Sequence, residues 1–235
     1  MQIKHNSIHF AKLTNFKILV HHFLPMPDSN FNEDLNNEAK LAEHLDKIYS
    51  TILNPNGYTI ERLKDLNLQH KGIDLILSNS NKSFYVDEKA QLDYLNTSLP
   101  TFAFELSYLK QGRWQKGWLY DKTKETDIYF LITNIHLNRD GGAKELSRIK
   151  ITGVYRDKLI SLLQKKGLTE SKLFHIEKEL RQSGKHGRYQ LQQLNSKTEG
   201  ILYFSKNNKS EQPINLVLKL NWLVKENVGK IIVQK

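Results

Sequence analysis

Three charged side chains near the middle of the chain have the types and spacing for metal-assisted chemistry. Asp74 interrupts an apolar run, and Asp87 and Lys89 lie two residues apart in the next one. Side chains alternate across a strand, so Asp87 and Lys89 should share one face while Glu88 projects from the other. A hairpin through the polar turn between the runs would bring Asp74 beside them. Two carboxylates suit a hard divalent cation, and the ammonium could handle the attacking water.

The alternative interpretation is that these are solvated charges on the polar face of a hairpin. The run that contains Asp74 is otherwise apolar, which indicates burial. A buried charge needs a partner or a metal ion, so this position favours the metal site over the solvated face.

The pattern of Asp74 followed by Asp87-Glu88-Lys89 resembles the PD-(D/E)XK nuclease superfamily, whose fold is called restriction-endonuclease-like. The resemblance covers roughly residues 36–135. It implies that Asp74 and Asp87 bind Mg²⁺, with Mn²⁺ able to substitute, and that Lys89 orients or activates water. Glu88 is the alternative second ligand, although strand alternation favours Asp87.

A helix upstream of the acidic strands offers a third carboxylate. Apolar residues recur at helical spacing over 36–52, with Asn36 or Asn37 as the cap, and Glu38 lies on the same stripe. The resemblance implies that a glutamate of the first core helix joins the metal site, which would be Glu38. The alternative is an ordinary glutamate favoured by the positive end of the helix dipole.

Further periodic segments complete an α/β pattern. Strands are predicted at 58–63, 71–77, 84–90, 101–108, 127–133, 200–205, 215–224 and 230–233, and helices at 157–166 and 169–182. Gln91 and Glu105, in or beside these strands, are auxiliary candidates, with Glu105 alternatively pairing with Lys89. The expected fold is a restriction-endonuclease-like mixed sheet flanked by helices, followed by a basic α+β C-terminal extension.

Charge divides the chain into two unequal parts. Residues 1–135 hold 15 Lys and Arg against 16 Asp and Glu, whereas residues 136–235 hold 20 against 9. We therefore predict a catalytic core with an N-terminal extension over 1–135, and over 136–235 a region that packs on the core and binds double-stranded DNA. The alternative is that the lysines serve solubility.

Two clusters are candidates for contact with nucleic acid. One contains Arg113, Trp114 and Lys116, where an aromatic ring between cations could stack on a base. The other is a glycine-flanked basic loop at 183–189 with Lys185, His186 and Arg188, whose alternative is a plain surface turn. Trp118 is expected in the core.

Composition narrows the class of protein. The chain has 235 residues and no cysteine, which excludes disulfides, thiolate metal sites and cysteine nucleophiles. No apolar run reaches membrane-spanning length and no signal-peptide core is present, so we expect a cytoplasmic protein without a membrane partner. The expected function is a Mg²⁺-dependent DNA endonuclease, specifically a homodimeric type II restriction enzyme. The alternatives are a repair or junction-resolving nuclease and a non-catalytic nucleic-acid-binding protein with the same fold.

Overall fold

Two β-sheets and five α-helices make up the described chain. A computed structural model describes residues 31–138, 145–207 and 210–235; the side chains of 31–40 and of residue 145 lie outside this description. The helices are α1 Phe31–Leu53, α2 Leu66–His70, α3 Arg156–Lys165, α4 Glu170–Ser183 and α5 Leu220–Lys225. The strands are β1 Thr59–Arg62, β2 Leu75–Ser78, β3 Ser83–Ala90, β4 Thr101–Lys110, β5 Arg113–Lys116, β6 Ile128–Asn138, β7 Glu145–Tyr155, β8 Gly187–Tyr189, β9 Gly200–Phe204, β10 Ile214–Lys219 and β11 Gly229–Gln234.

The first sheet, sheet A, has six strands in the order β1-β2-β3-β6-β7-β11. Its pairs are antiparallel except for β3 and β6, which run parallel. The predicted hairpin of β2 and β3 forms with Leu75 opposite Val86. Sheet A is therefore the mixed sheet flanked by helices that the sequence predicts.

The second sheet, sheet B, has five antiparallel strands in the order β5-β4-β10-β9-β8. Strands β4 and β5 lie in the long connection between β3 and β6, and β10 pairs with β4 from the far end of the chain. The predicted division after residue 135 falls inside β6, and each sheet combines strands from both sides of it. The basic region is thus interleaved with the first half.

Two apolar cores lie on the two faces of sheet A. One face packs on α1, through residues that include Leu45, Tyr49 and Phe130. The other face joins sheet B and helices α3, α4 and α5, through residues that include Tyr129 and Phe104. Tyr129 and Phe130 are neighbours on β6 and point to opposite cores, as alternation along a doubly buried strand requires.

Local signals predicted helices α3 and α4 well. Thr169 caps α4 by accepting a hydrogen bond from the amide of Lys172, and Gly184 ends the helix at a φ of 62°.

Among the helices that the structure describes, none is both long enough and apolar enough to cross a lipid bilayer.

Several elements differ from the prediction. The strand predicted at 71–77 begins only at Leu75, and α2, β5 and β7 were not predicted. The segment 215–224 is not one strand, because β10 ends at Lys219 and Leu220 begins α5, whose buried side chains pack into the core. The segment 183–189 is not a free loop, because it contains the end of α4 and the edge strand β8. Helix α1 begins at Phe31, several residues before the predicted caps.

Candidate active site

The hairpin brings the three candidate catalytic groups together. Asp87 and Lys89 project from the same face of β3, and the Lys89 Nζ lies 2.6 Å from Asp87 Oδ1. Asp74 lies immediately before β2, and its Oδ2 accepts a hydrogen bond of 2.8 Å from the amide of Glu88. Its own amide donates to the carbonyl of Val86 at 2.8 Å. Asp74 is therefore held across the hairpin from Asp87 by one side-chain and one backbone hydrogen bond to β3.

This cluster contains more negative than positive charge. Asp87 is buried, the Lys89 side chain is 14 % exposed, and Asp74 is half-buried. Burial and then the charge of Asp87 raise the pKa of Asp74 well above its usual range, and Lys89 only partly opposes this. Burial alone would lower the pKa of Lys89, but the charges of Asp87 and Asp74 outweigh it and raise that pKa. One ammonium thus faces two carboxylates.

Sheet B supplies the wall behind Lys89. Glu105 of β4 is buried, and its negative charge adds to those that raise the pKa of Lys89. The Trp118 ring lies 5.6 Å from the Lys89 Nζ, and the indole is buried as predicted. A Cβ at Gly117 would overlap the backbone carbonyl of Glu105, so only glycine lets this segment approach β4 so closely.

A turn before β2 approaches the other side of the cluster. Gly72 has a φ of 75°, and a Cβ there would lie 2.5 Å from Thr126 Oγ1 and 3.4 Å from Asp87 Oδ2. Thr126 donates a buried hydrogen bond of 2.8 Å to the Gly72 carbonyl. Glycine is thus required by both conformation and space where the turn passes Asp87.

Arg156, at the start of α3, positions the segment that connects Trp118 to Thr126. Its guanidinium donates to the backbone carbonyls of Leu119, Asp121 and Lys124 at 3.3, 2.8 and 3.0 Å. A residue from the basic half therefore fixes the loop beside the candidate site. Sequence reasoning missed this role, because no local pattern links Arg156 to those carbonyls.

Glu88 has partners on the opposite face of β3. Its carboxylate accepts a hydrogen bond of 2.6 Å from Tyr49 Oη of α1 and pairs with Arg62 of β1 at 2.5 Å. Arg62 also pairs with Asp46 at 2.7 Å. Since Glu88 is engaged with α1, the geometry favours Asp87 as the acid that acts together with Lys89.

The remaining site candidates differ in their placement. Gln91 is buried at the end of β3, and its side-chain amide donates to the carbonyl of Thr101 at 2.9 Å, which ties β3 to the start of β4. Glu38 lies on α1, but its side chain falls outside the described residues. The structure therefore neither joins Glu38 to the site nor separates it.

The donor set determines what metal the site could hold. Within the residues that the structure describes, no group of three or more His, Asp or Glu side chains is arranged around a common metal position. Asp74 and Asp87 form a two-carboxylate set instead. Mg²⁺ usually binds through one or two carboxylates and takes its other ligands from water and phosphate. The pair and its excess negative charge fit such an ion.

The first candidate cluster for nucleic acid lies on β5, an edge strand of sheet B. Arg113, Trp114 and Lys116 are all exposed. Lys116 forms an ion pair of 2.5 Å with Glu170 of α4. The Arg181 guanidinium lies 4.0 Å from the centre of the Trp114 ring and covers one of its faces. Trp114 is thus a surface residue and not part of the core.

The second cluster lies at the opposite edge of the same sheet. Lys185 and Arg188 are exposed beside and on β8. The His186 ring contacts the Tyr203 ring edge-to-face and lies 3.2 Å from its hydroxyl, which gives this histidine a structural role. Three strands separate β5 from β8, so the clusters lie about 20 Å apart at the usual strand spacing.

Comparison of the chain with protein-family profiles, with curated proteins and with solved structures found no match in any of the three.

Proposed function

We propose that this protein is a Mg²⁺-dependent DNA endonuclease of the restriction-endonuclease-like type, acting as a type II restriction enzyme. One observation carries the proposal: Asp74, Asp87 and Lys89 converge on one face of the β2–β3 hairpin, where a single ammonium opposes two carboxylates. Without a bound cation this arrangement destabilises the folded protein, because it holds two negative charges close together in a partly buried place. A bound cation relieves that cost.

Each group has a chemical role in phosphodiester hydrolysis. Asp74 and Asp87 would hold the Mg²⁺, which supplies Lewis acidity toward a phosphate oxygen and lowers the pKa of bound water. Lys89 has a raised pKa and is therefore charged at neutral pH. It acts as a hydrogen-bond donor that orients the attacking water or stabilises negative charge on the phosphate. Trp118 limits access of solvent to one side of this ammonium.

The partner and assembly follow from charge and symmetry. The excess of Lys and Arg, giving a net charge of +10, suits a polyanion such as double-stranded DNA. Cutting both strands at one site requires two active centres related by a two-fold axis, so we propose a homodimer. A restriction role would place the protein in the cytoplasm, where invading DNA enters.

The decisive experiment incubates the purified protein with phage DNA and Mg²⁺. Discrete fragments in Mg²⁺, and none with Lys89→Ala or with chelator, support the proposal. Cleavage confined to branched DNA would instead indicate a junction-resolving nuclease. Binding to DNA without cleavage of any substrate, in Mg²⁺ or Mn²⁺, would indicate a non-catalytic protein and overturn the proposal.

A further inference from the structure

A cavity of about 360 Å³ lies between α4 and the strands β4 and β5. This volume is in the range of pockets that hold small organic molecules. Six of its lining residues matter for what it could bind: Ser107, Trp114, Tyr120, Phe174, Glu177 and Arg181.

Flat aromatic surface is exposed at this cavity. Trp114 is 40 % exposed and Phe174 is 58 % exposed, which are high values for large apolar side chains. Because the Arg181 guanidinium packs on one face of Trp114, the indole is held in place while its remaining surface is left to line the cavity. Exposed rings of this kind gain free energy by stacking on a planar ligand.

The polar groups of the cavity are balanced in charge. Buried Glu177 accepts hydrogen bonds from Ser107 and from Arg181, with the Arg181 Nη2 at 2.9 Å from Glu177 Oε2. Lys116 and Glu170, which also line the cavity, form an ion pair with each other. A lining without excess charge suits an uncharged polar ring better than a phosphate group.

Two residues that line this cavity each carry a buried polar atom with no hydrogen-bond partner among the described residues. These atoms are the hydroxyl of Tyr120 and the Nε of Arg181. A buried polar group without a hydrogen bond destabilises the free protein, and a ligand that bonds to it recovers that free energy. The edge of a purine or pyrimidine ring carries acceptors for such donors.

We propose that this cavity binds a single nucleobase, stacked against Trp114 and Phe174 and hydrogen-bonded by Tyr120 and Arg181. The proposal rests on the proposed action on DNA, and the position of the cavity supports it. Trp118, at the Lys89 ammonium, is two residues from Tyr120. Glu105 and Ser107 are also two residues apart on β4, which corresponds to about 7 Å along a strand. A base extruded from DNA could enter the cavity while its backbone stays near Lys89.

The test measures base binding in chelator, so it does not depend on cleavage. One arm titrates the four deoxynucleoside monophosphates, and the other titrates DNA duplexes with 2-aminopurine at successive positions. Binding in the first arm identifies free nucleotides as a source. A 2-aminopurine signal that responds to the variants identifies an extruded base. The variants are Trp114→Leu, Trp114→Phe and Tyr120→Phe, with Ile231→Ala as a control at an exposed residue of β11.

The expected results separate binding from folding. Trp114→Leu should weaken base binding roughly 5- to 150-fold, whereas Trp114→Phe should retain most of it, because stacking needs a ring and not an indole. Tyr120→Phe should weaken binding without lowering the Tm, since the hydroxyl has no partner in the free protein. Ile231→Ala should leave binding unchanged.

The proposal is overturned if no nucleotide binds and the 2-aminopurine signal is the same in wild type and in both Trp114 variants. It is equally overturned if Tyr120→Phe and Trp114→Leu bind as wild type does. The wild-type protein distinguishes the two proposals: cleavage of DNA without base binding overturns only the cavity, and base binding without cleavage of any DNA overturns only the nuclease. Lys89→Ala should lose cleavage and keep base binding.

Discussion

At the scale of single residues, the two lysines of the β2–β3 hairpin differ in environment although both belong to one short segment. Lys89 is largely buried against Asp87, whereas Lys82 is exposed in the turn, 4.6 Å from the centre of the Phe84 ring. This difference provides a matched pair for testing the catalytic assignment.

We expect Lys89→Ala to reduce DNA cleavage by roughly 10²- to 10⁴-fold, the usual contribution of a positioned proton donor or acceptor. Asp74→Asn should reduce cleavage at least as much, while its amide oxygen can still accept the hydrogen bond from Glu88. Cleavage rates on a single plasmid substrate measure both effects. Lys82→Ala is the control and should cut like wild type; equal losses in the two lysine variants would contradict the assignment.

The raised pKa of Asp74 gives a second prediction, which does not use activity. In chelator the folded state binds the Asp74 proton more tightly than the unfolded state does. The stability of wild type should therefore fall as pH rises above about 4, the ordinary pKa of aspartate, toward the raised value. The Asp74→Asn variant has no ionisable group at this position. The Tm of this variant minus the Tm of wild type should therefore be larger at pH 8 than at pH 4.

Added Mg²⁺ should reverse that difference. A ligand at 100 times its Kd stabilises the folded state by about 2.7 kcal/mol, so Mg²⁺ should raise the Tm of wild type and leave that of Asp74→Asn nearly unchanged. Thermal unfolding across pH, with and without Mg²⁺, provides both measurements. If the two proteins respond alike to pH and to Mg²⁺, Asp74 is not part of a cation site.

At the scale of elements, α1 is joined to sheet A by a polar contact inside an apolar interface. Tyr49 of α1 and Arg62 of β1 both bind Glu88, which is 1 % exposed. The interface is otherwise made by apolar side chains such as Leu45 and Phe130. The position of α1 on the hairpin that carries Asp87 thus depends on a buried carboxylate with two partners.

Arg62→Met should destabilise the protein by about 3–5 kcal/mol, because it leaves the buried Glu88 carboxylate without its cation. Tyr49→Phe removes one hydrogen bond to the same carboxylate and should cost about 1.5–3 kcal/mol. Urea unfolding of both variants gives these values. The double variant Arg62→Met with Glu88→Met should recover much of the loss. A double variant no more stable than Arg62→Met would argue against an unpaired charge as the cause.

Element by element, the sequence predicted what local patterns determine. Three predicted features depend on residues close together in the chain. They are the β2–β3 hairpin, the alternation that puts Asp87 and Lys89 on one face of β3, and the cap of α4 at Thr169. The role of Glu88 could not be predicted in this way, because Tyr49 and Arg62 are 39 and 26 residues away from it. The segment 215–224 also fits both periods, since its seven apolar residues can belong to a buried strand or to one side of a helix.

At the scale of the whole molecule, long-range pairing determines what local patterns leave open. Asn215 of β10 pairs with Glu105 of β4, and β7 and β11 extend the sheet that carries the candidate site. Arg156 reaches from α3 to the loop beside that site. The contrast in charge between the two halves is real in sequence. In three dimensions, however, the basic half supports the site structurally as well as adding positive surface.

The arrangement of sheet B gives a final prediction about which part of that positive surface contacts DNA in the proposed complex. Lys185 and Arg188 lie at the β8 edge, and Arg113 and Lys116 lie at the β5 edge, on the side of the Trp114 cavity. Each phosphate contact that is lost should reduce the slope of log K against log salt by about 0.9. Neutralising Lys185 and Arg188 together should therefore lower the slope by about 1–2, if this edge contacts the backbone.

The matched double variant is Arg113→Gln with Lys116→Gln, measured in the same salt titration with duplexes of two unrelated sequences. Phosphate contacts carry no sequence information, so the loss from either pair should be similar on both duplexes. Lys116 already pairs with Glu170. Substituting Lys116 should therefore reduce the slope of log K against log salt less than substituting an exposed lysine that has no ion pair. If the Lys185 and Arg188 variant binds with unchanged slope and affinity, the β8 edge faces away from DNA. Its charge then serves solubility.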